Sequence, residues 1–325
     1  MAVTAKNGSV LLTGGAGFIG SHLVRALAPD CDVSILDKLT RPARARLGHS
    51  LPDDVEFQQG DVLDAVDVRK AAEGKQTLIH LAAVAGIDTV IKDPIHTMDV
   101  NYEGTRNVLQ AASATGVRRV ISFSTSEVYG PYVYMAEEAG MTTVGGVGNP
   151  RWTYAVSKLA AEHYAIAFAK HSDIEVIIVR PFNIYGPGQV GEGAIQSFIL
   201  QALRNEDITI FGSGAQIRAW CYIDDLVSAV VKLLACDVQE YAVFNIGNPQ
   251  AAVTVRELAD RIVALSGSAS RIRQTRRDYS DVLLRVPDIS QAQRALGFDP
   301  SVQLDEGLTR TIAWYRRVLE RKPND

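Results

Sequence analysis

Short apolar runs alternate with longer segments of helical pattern through the first part of the chain. Apolar runs that are typical of buried parallel strands lie at 10–12, 33–36, 55–57, 77–81, 117–123 and 176–179. Helical patterns lie between several of them, at 21–27, 101–115 and 152–171. This order of elements predicts an α/β fold with a doubly wound parallel sheet of the Rossmann type.

The last third of the chain changes character after a crossover at 185–193, which is rich in glycine and contains a proline. Helical patterns follow at 194–204, 224–234, 254–266 and 302–319, with short strands at 208–210 and 243–246. We therefore predict that residues 1–183 and 220–250 form the Rossmann domain, and that residues 184–219 and 251–325 form a smaller α/β substrate domain. Residues 131–150 are expected to be irregular and to lie over the site.

The first apolar run ends in a cluster of glycines, and a helical run follows them. Because glycine has no Cβ, the backbone can turn tightly and approach a ligand, while the N–H groups at the start of the helix face its phosphates. The pattern predicts a diphosphate-binding loop, although a turn that only packs the helix on the strand is the alternative. The residues assigned to this loop are Gly14, Gly17, Phe18, Ile19 and Gly20.

A carboxylate follows the second strand, about twenty residues after the glycines, where ribose-binding acids lie in dinucleotide domains. Asp37 is expected to accept hydrogen bonds from the adenosine ribose and to repel a 2′-phosphate, which favours NAD over NADP. The alternative is a turn aspartate, with Lys38 and Arg41 as phosphate ligands.

The carboxyl ends of the third and fourth strands are expected to line the same crevice. Small residues there leave room for a ligand, so we assign Asp61, Val62, Leu81, Ala82 and Ala83 to the adenine and pyrophosphate. For Asp61, a solvated loop acid is the alternative.

Tyr154 and Lys158 are four residues apart on a predicted helix, hence on one face, and Thr125 follows the fifth strand. The Lys158 ammonium and a positive nicotinamide are expected to lower the pKa of Tyr154, so that a phenolate takes a proton from a hydroxyl. With Thr125 bound to the same hydroxyl, hydride leaves its carbon for the cofactor. The alternative is that Tyr154 and Lys158 form a pair on the helix surface without a catalytic role.

The composition of the chain limits its expected binding partners and its expected cellular compartment. A net charge of -4 gives no electrostatic case for nucleic acid, and no apolar stretch has the length of a signal peptide or a membrane span. The three cysteines, Cys31, Cys221 and Cys236, have no paired spacing, and the histidines show no metal-ligand spacing. We expect a cytoplasmic protein with reduced thiols and no metal.

Taken together, these motifs resemble the extended short-chain dehydrogenase/reductase family, over about residues 9–319. Further similar pieces are HLAA at 80–83, NYEGT at 101–105, RPFNIYGP at 180–187 and RAWCYIDD at 218–225. The resemblance implies tightly held NAD with Asn101 among its contacts, a nucleotide-sugar substrate and oxidation at the sugar C4 hydroxyl. It also implies a homodimer through the helices near 101–115 and 154–171.

The reaction after oxidation depends on Glu127. In the family, 4-epimerases usually have only small residues there, whereas 4,6-dehydratases and decarboxylases have a glutamate. Dehydratases often carry Asp-Glu where this chain has Ser126-Glu127, and segments 124–130 and 149–152 are similar to UDP-glucuronate decarboxylases. A 4-ketone makes the C6 carboxylate a β-keto acid, which loses carbon dioxide through an enolate.

The resemblance therefore ranks decarboxylase first, dehydratase second and 4-epimerase third, with an NAD sensor that does not turn over as a remote alternative. Two departures from UDP-xylose synthases are Ala83, where a cysteine is usual, and the short crossover 189–193. Ser126, Asn183, Arg218 and Arg285 are assigned to the substrate. Asn183 and the two arginines are expected to hold its diphosphate, with Arg218 also offsetting the charge of Glu127, while a surface ion pair is an equal alternative for Arg285.

Overall fold

The computed structural model describes residues 8–39, 51–276 and 282–320. The strands are β1 (Ser9–Thr13), β2 (Asp32–Asp37), β3 (Glu56–Gln59), β4 (Thr77–His80), β5 (Arg119–Phe123), β6 (Tyr132–Ala136), β7 (Glu175–Pro181), β8 (Ile184–Tyr185), β9 (Ile208–Phe211), β10 (Ile217–Ala219), β11 (Cys221–Tyr222), β12 (Tyr241–Ile246), β13 (Ala252–Thr254), β14 (Ile272–Thr275) and β15 (Leu284–Pro287). The α-helices are α1 (Phe18–Leu27), α2 (Ala65–Ala72), α3 (Ile87–Lys92), α4 (Pro94–Met98), α5 (Gly104–Thr115), α6 (Thr153–Ala169), α7 (Ala194–Leu203), α8 (Ile223–Leu233), α9 (Val255–Ser266), α10 (Ser290–Leu296) and α11 (Leu304–Glu320). A π-helical turn, Asp99–Glu103, precedes α5, and short 3₁₀ helices span Ser126–Tyr129, Pro150–Trp152 and Pro249–Ala251.

The main sheet has seven strands in the order β12-β7-β5-β4-β1-β2-β3, and every neighbouring pair is parallel. From β1 the chain builds the sheet outwards through β2 and β3, and then returns to add β4 on the other side. Ligands of doubly wound sheets bind at this reversal, outside the carboxyl ends of the strands. The predicted fold class is confirmed.

Both faces of the main sheet are covered by helices, as parallel strands require. Successive residues of β1 show the consequence, because Leu11 packs into one apolar cluster with Leu78 and Val108, whereas Leu12 packs into the other with Leu23. Helices α1 and α8 contact each other on one face, and α5 packs against α2 and α6 on the other. The sheet is thereby fixed from both sides, which positions its carboxyl edge.

Smaller sheets lie beyond this edge. The largest has the order β13-β10-β15-β6, and two-stranded sheets join β8 to β11 and β9 to β14. Strand β6 of the four-stranded sheet lies within 131–150, so the expectation that this stretch is irregular was wrong for residues 132–136. Only Val133 of β6 is buried, while Tyr132 and Tyr134 are exposed, so no apolar run marks this edge strand in the sequence.

Strand β6 also bears on the predicted division into two domains. All seven strands of the main sheet fall within 1–183 and 220–250, but β6 pairs with β15 from the second predicted unit. The division into two domains stays a prediction. Among the residues that the structure describes, no helix is long and apolar enough to cross a membrane.

Candidate active site

The loop between β1 and α1 is shaped by three glycines, Gly14, Gly17 and Gly20, which we call the glycine cradle. Gly14 has φ +71, and a Cβ there would lie 2.6 Å from the backbone nitrogen of Ala82 at the end of β4. A Cβ on Gly20 would lie 2.5 Å from the Gly14 oxygen. The loop is therefore pressed against the carboxyl end of β4 and against the start of α1, and only glycine fits.

A cavity of about 260 Å³ opens beside the cradle at the reversal point of the sheet. Predicted cofactor residues in its wall are Gly14, Gly17, Asp37, Asp61, Val62, Leu81, Ala82 and Ala83. Lys38, offered from the sequence only as an alternative phosphate ligand, also lines this wall, and the residues not predicted there are Leu36, Leu39, Gly60, Val84, His96 and Val100. Phe18, Ile19 and Gly20 form the first turn of α1 behind the loop. The cavity has room for a ligand beside a loop whose glycines leave the backbone uncovered. This arrangement fits a dinucleotide whose phosphates approach the backbone.

Asp37 ends β2 and connects the cradle to the next loop. One carboxylate oxygen accepts a hydrogen bond from Ala16 N (3.0 Å), and the other accepts one from Leu39 N (2.9 Å). Lys38, which the sequence offered as a phosphate ligand, lies 2.8 Å from Asp61 instead. Burial opposes the charge of Asp61, but the Lys38 ammonium and a backbone N–H hold its pKa below the usual range. Arg41 lies outside the described residues.

Asn101 is fully buried and fixes part of the cavity wall. Its amide exchanges two hydrogen bonds with the backbone of Val84 (2.8 and 3.0 Å) and donates a third to Ser157 Oγ (3.0 Å). The segment after β4 is thus tied to α6. A direct contact between Asn101 and a cofactor stays a prediction.

His80 at the end of β4 was not predicted to take part. Thr105 donates its hydroxyl to the Asn101 carbonyl (2.7 Å), so it accepts from His80 Nε2 (3.1 Å), and His80 Nδ1 accepts from Thr13 (2.7 Å). Burial, with the nearby Lys158 charge, lowers the pKa of His80 to about 3. The ring is therefore neutral, and it links β1, β4 and α5.

Tyr154 and Lys158 lie on the first two turns of α6, as predicted, and Thr125 precedes the 3₁₀ helix Ser126–Tyr129. The Thr125 hydroxyl is close enough to Tyr154 to lower the pKa of its phenol, and Thr125 Oγ1 accepts a hydrogen bond from Glu127 N (3.2 Å). Lys158 Nζ donates to the Phe123 carbonyl (2.8 Å). The structure therefore brings these residues together at the end of β5.

The electrostatics of this group correct one expectation. Burial raises the pKa of Tyr154 to about 12, the Thr125 hydrogen bond lowers it, and the Glu127 charge raises it further. Burial also lowers the pKa of Lys158 to about 8, against the opposing effect of Glu162. The predicted lowering of the Tyr154 pKa is therefore not achieved by the protein groups alone, because desolvation of the phenolate outweighs them.

Glu127 is held between two arginines. Arg151 Nη1 donates to one carboxylate oxygen (2.9 Å), Arg285 Nη1 donates to the other, and Arg285 Nη2 donates to Gly130 O (3.0 Å). Both arginines are 3% exposed. Burial by itself would raise the pKa of Glu127, but the two guanidinium charges lower it to about 2. We call Glu127, Arg151 and Arg285 the Glu127 cluster.

This geometry corrects two predicted roles. The arginines that offset the Glu127 charge are Arg151 and Arg285, not Arg218. Arg285 was assigned to a diphosphate, but its two terminal nitrogens bind Glu127 and Gly130. Arg151 was missed as a site residue, although its motif at 149–152 was noted. Its contact with Glu127 depends on the fold, and sequence spacing does not reveal it.

Two further cavities extend from this cluster. One of about 360 Å³ is lined by Glu127, Arg151, Tyr154 and parts of 85–90 and 189–193. The next, of about 300 Å³, is lined by Gln216, Arg218 and Trp220, and the two share Gly191 and Glu192. An elongated ligand can therefore run from Tyr154 to Arg218.

The remaining predicted substrate residues lie close to these elements. Ser126 is buried in the turn before Glu127. Asn183 follows β7, has φ +43 and donates to the Ala219 carbonyl (2.9 Å), next to Arg218. Arg218 on β10 and Arg285 on β15 are register partners. No group of three or more potential metal ligands occurs within 8–39, 51–276 and 282–320.

Comparison with known proteins identifies the family. Residues 10–247 match the NAD dependent epimerase/dehydratase family, and the chain belongs to it. The chain is 36% identical over 321 residues to UDP-glucuronic acid decarboxylase 1 of Xenopus tropicalis, which covers 97% of this chain and 74% of the relative. UDP-N-acetyl-alpha-D-glucosaminuronate decarboxylase of Bacillus cytotoxicus is 32% identical, with 95% of this chain and 98% of that protein covered.

A solved structure extends the similarity to the fold. UDP-glucuronic acid 4-epimerase from Bacillus cereus, in complex with UDP-glucuronic acid and NAD, superposes with a TM-score of 0.87 at 29% identity, over 95% of this chain and 99% of that one. The predicted family, the Rossmann-type fold and the NAD cofactor are confirmed. So is the prediction of an NAD-dependent enzyme of the class that modifies nucleotide sugars.

Proposed function

We propose that the protein is a UDP-glucuronate decarboxylase, which oxidises the sugar C4 hydroxyl and then releases C6 as carbon dioxide. The observation that carries the proposal is the Glu127 cluster beside Tyr154. Two guanidinium groups and one carboxylate leave one positive charge in excess, which suits a sugar that bears a carboxylate. The decarboxylases of Xenopus tropicalis and Bacillus cytotoxicus support this choice.

The oxidation is assigned to the residues at the end of β5. NAD, bound in the cavity beside the glycine cradle, supplies the hydride acceptor. Tyr154, as its phenolate, takes the proton of the C4 hydroxyl, and the neighbouring Thr125 hydroxyl orients that hydroxyl by a hydrogen bond. Lys158 keeps a positive charge close to this phenolate and so favours the form of Tyr154 that can accept the proton.

The decarboxylation follows from the ketone. Once C4 is a ketone, the C5–C6 bond breaks with loss of carbon dioxide, its electron pair remains as an enolate, and a proton added at C5 completes the step. The excess positive charge of the Glu127 cluster stabilises the enolate. Arg151, in the cavity wall, is the guanidinium that we assign to the substrate carboxylate.

The same cluster argues against a 4,6-dehydratase. That reaction needs a base to remove the C5 proton, and a carboxylate with a pKa of about 2 is a poor base at neutral pH. Ser126 also stands where many dehydratases have an acid. The second candidate is therefore a UDP-glucuronate 4-epimerase, because the cluster can bind the substrate carboxylate without loss of carbon dioxide, and the Bacillus cereus epimerase is similar.

We assign the nucleotide end of the substrate to the cavity at Arg218. Gln216 Oε1 and Trp220 Nε1 are buried there and have no hydrogen-bond partner among the residues that the structure describes, so both are available to a ligand. Arg218 and Asn183 are proposed to bind the diphosphate between this cavity and Tyr154.

We also propose a homodimer in the cytoplasm. An apolar groove of about 510 Å³ lies beside α4 and α6 and is lined by Ile95, Met98, Trp152 and Val156, which supports a second copy at this face. The three cysteines are free thiols, which suits a reducing compartment. Sedimentation of the wild type and of Val156→Lys tests the dimer, because a charge in the interface should shift the protein towards monomer.

Incubation of the purified protein with UDP-glucuronate, UDP-glucose, dTDP-glucose and GDP-mannose, with products read by NMR, tests the assignment. We expect turnover of UDP-glucuronate to a UDP-pentose or its 4-keto form. Formation of UDP-galacturonate alone would establish the 4-epimerase, and loss of water from a neutral hexose would establish the dehydratase. A protein that binds NAD but never reduces it with any of these sugars would be a sensor.

A further inference from the structure

A buried arginine outside the cavities joins the two elements that carry the reactive side chains. Arg180, near the end of β7, donates from Nε and Nη2 to the Glu162 carboxylate (2.6 to 3.2 Å). Its Nη1 donates to the Tyr129 hydroxyl (2.6 Å), which in turn donates to Asn245 Oδ1 (2.9 Å). We call Glu162, Arg180, Tyr129 and Asn245 the Arg180 network.

The Arg180 guanidinium binds residues on two different elements, each of which carries side chains assigned to the reaction. Glu162 lies four residues after Lys158 on α6, so it shares the helical face of Lys158 and Tyr154. Tyr129 ends the 3₁₀ helix that contains Glu127. One rigid guanidinium therefore sets the distance between the helix of the proton acceptor and the turn of the Glu127 cluster.

Stability alone does not account for this arrangement. Glu162 is 4% and Arg180 5% exposed, and well-packed apolar side chains often replace such a buried ion pair without loss of stability. An apolar pair would fill the space, but it would neither fix a direction nor supply a negative charge behind Lys158. The planar, bidentate geometry of arginine provides the direction.

The Glu162 carboxylate is also part of the electrostatic surroundings of Lys158. The titratable groups around Lys158 are Tyr154 and Glu162 on its own helix, His80 on β4 and Arg180 on β7. His80 is neutral, and Arg180 is paired, so Glu162 is the anion that favours the ammonium form of Lys158.

We propose that Arg180 is a positioning residue for the C4 oxidation, which fixes α6 against the Ser126–Tyr129 turn and directs the Glu162 charge at Lys158. The inference rests on the proposed oxidation by Tyr154, but it does not depend on whether decarboxylation follows.

The test uses full-length protein with NAD and measures reduction of the cofactor at 340 nm in a single turnover, from pH 6 to pH 10. The step needs the Tyr154 phenolate and the Lys158 ammonium together. With NAD bound, whose positive nicotinamide lowers the pKa of Tyr154, the rate should rise with pH as Tyr154 loses its proton and fall as the pH rises through the pKa of Lys158. Glu162→Gln removes the charge that supports the ammonium, so its alkaline limb should move to lower pH by about one unit. Arg180→Lys cannot make both contacts, and its rate should fall about 10- to 100-fold with unchanged substrate dissociation constants.

The matched control is another arginine–glutamate pair on the same sheet. Arg119 on β5 donates to Glu175 on β7 (2.7 Å) at the opposite, amino edge, far from the catalytic residues. Glu175→Gln should leave the rate and the alkaline limb unchanged. Tyr129→Phe keeps the ion pair and the ring but removes one arm of the network, so it decides the outcome if the other variants do not fold, with an expected fall of about 3- to 10-fold.

Rates and alkaline limbs that equal those of the wild type in the folded variants would overturn the inference. The assay distinguishes this from failure of the proposed function. If UDP-glucuronate is not decarboxylated but UDP-glucuronate or UDP-glucose still reduces bound NAD, the same variants are compared on that oxidation. The decarboxylase assignment then fails in the wild type, whereas the positioning role is judged from the variants.

Discussion

The glycine cradle and the Glu127 cluster differ in the way they are built. The cradle spans Gly14 to Gly20 in a single strand–turn–helix unit, and its shape depends on close backbone approaches that leave no room for a Cβ at Gly14 and Gly20. The cluster joins residues 127, 151 and 285, from two short 3₁₀ helices and β15. Local sequence therefore determines the phosphate-binding loop of the cofactor site, whereas tertiary assembly determines the site assigned to the sugar.

The largest effect is expected where the two regions meet, at Tyr154. Tyr154→Phe removes the proton acceptor, and the rate of NAD reduction by UDP-glucuronate should fall about 10²- to 10⁴-fold. The dissociation constants of NAD and UDP-glucuronate, measured by calorimetry, should equal those of the wild type. A variant that reduced NAD at the wild-type rate would show that another group takes the proton.

Gly14→Ala tests the cradle alone. The new Cβ would meet the Ala82 backbone, and the residue would have to keep φ +71, so we expect NAD binding to weaken about 100-fold and the free energy of unfolding to fall by about 1–3 kcal/mol. Binding of UDP-glucuronate by the apoprotein should be retained.

The matched control for this change is Gly74→Ala. Gly74 has φ +70, but a Cβ there would meet nothing within 4 Å. Strain without a clash should cost about 1–2 kcal/mol and leave NAD affinity unchanged. Equal loss of NAD affinity in both variants would show that the close approach to Ala82 is not what shapes the site.

Glu127→Gln tests the cluster alone. NAD reduction should persist, while release of carbon dioxide should slow about 100-fold and 4-keto glucuronate should accumulate in the NMR spectrum, because a neutral amide no longer holds both guanidinium groups in place beside the substrate. Glu175→Gln serves as the control. Parallel loss of oxidation and decarboxylation would contradict a role after oxidation.

The acid stability of the same variant provides an independent check. The pKa of Glu127 is lowered from 4.5 to about 2, so its ion pairs stabilise the fold above pH 4.5, and this contribution is lost as the pH falls towards 2. In Glu127→Gln the free energy of unfolding should therefore fall less between pH 4.5 and pH 2 than in the wild type. Denaturant titrations of both proteins at pH 7, 4 and 3 would detect the difference.

The smallest effect is expected at Asp37. The wild type should bind NAD at least about tenfold more tightly than NADP, because the carboxylate repels a 2′-phosphate, and Asp37→Ala should narrow this ratio. The variant also loses the hydrogen bonds to Ala16 and Leu39, so some loss of affinity for both cofactors is expected. Equal affinities in the wild type would refute the preference.

The contrast between the regions also explains what the sequence could predict. The apolar runs of the main sheet, the cradle, and the Tyr154–Lys158 spacing are local patterns, and the structure bears out their places. Strand β6 was missed because only Val133 is buried. Arg285 was assigned to a diphosphate because spacing along the chain carries no information about its contact with Glu127, 158 residues away.

Release of labelled carbon dioxide from UDP-glucuronate would show decarboxylation by this protein without an intermediate assumption. The purified protein with NAD is mixed with UDP-glucuronate that carries ¹³C at C6, and the ¹³C spectrum is followed in a sealed tube, with Tyr154→Phe as the blank. We expect the carboxylate signal to be replaced by those of bicarbonate and carbon dioxide as a UDP-pentose or its 4-keto form appears. A label that remains in the sugar while UDP-galacturonate accumulates would contradict it.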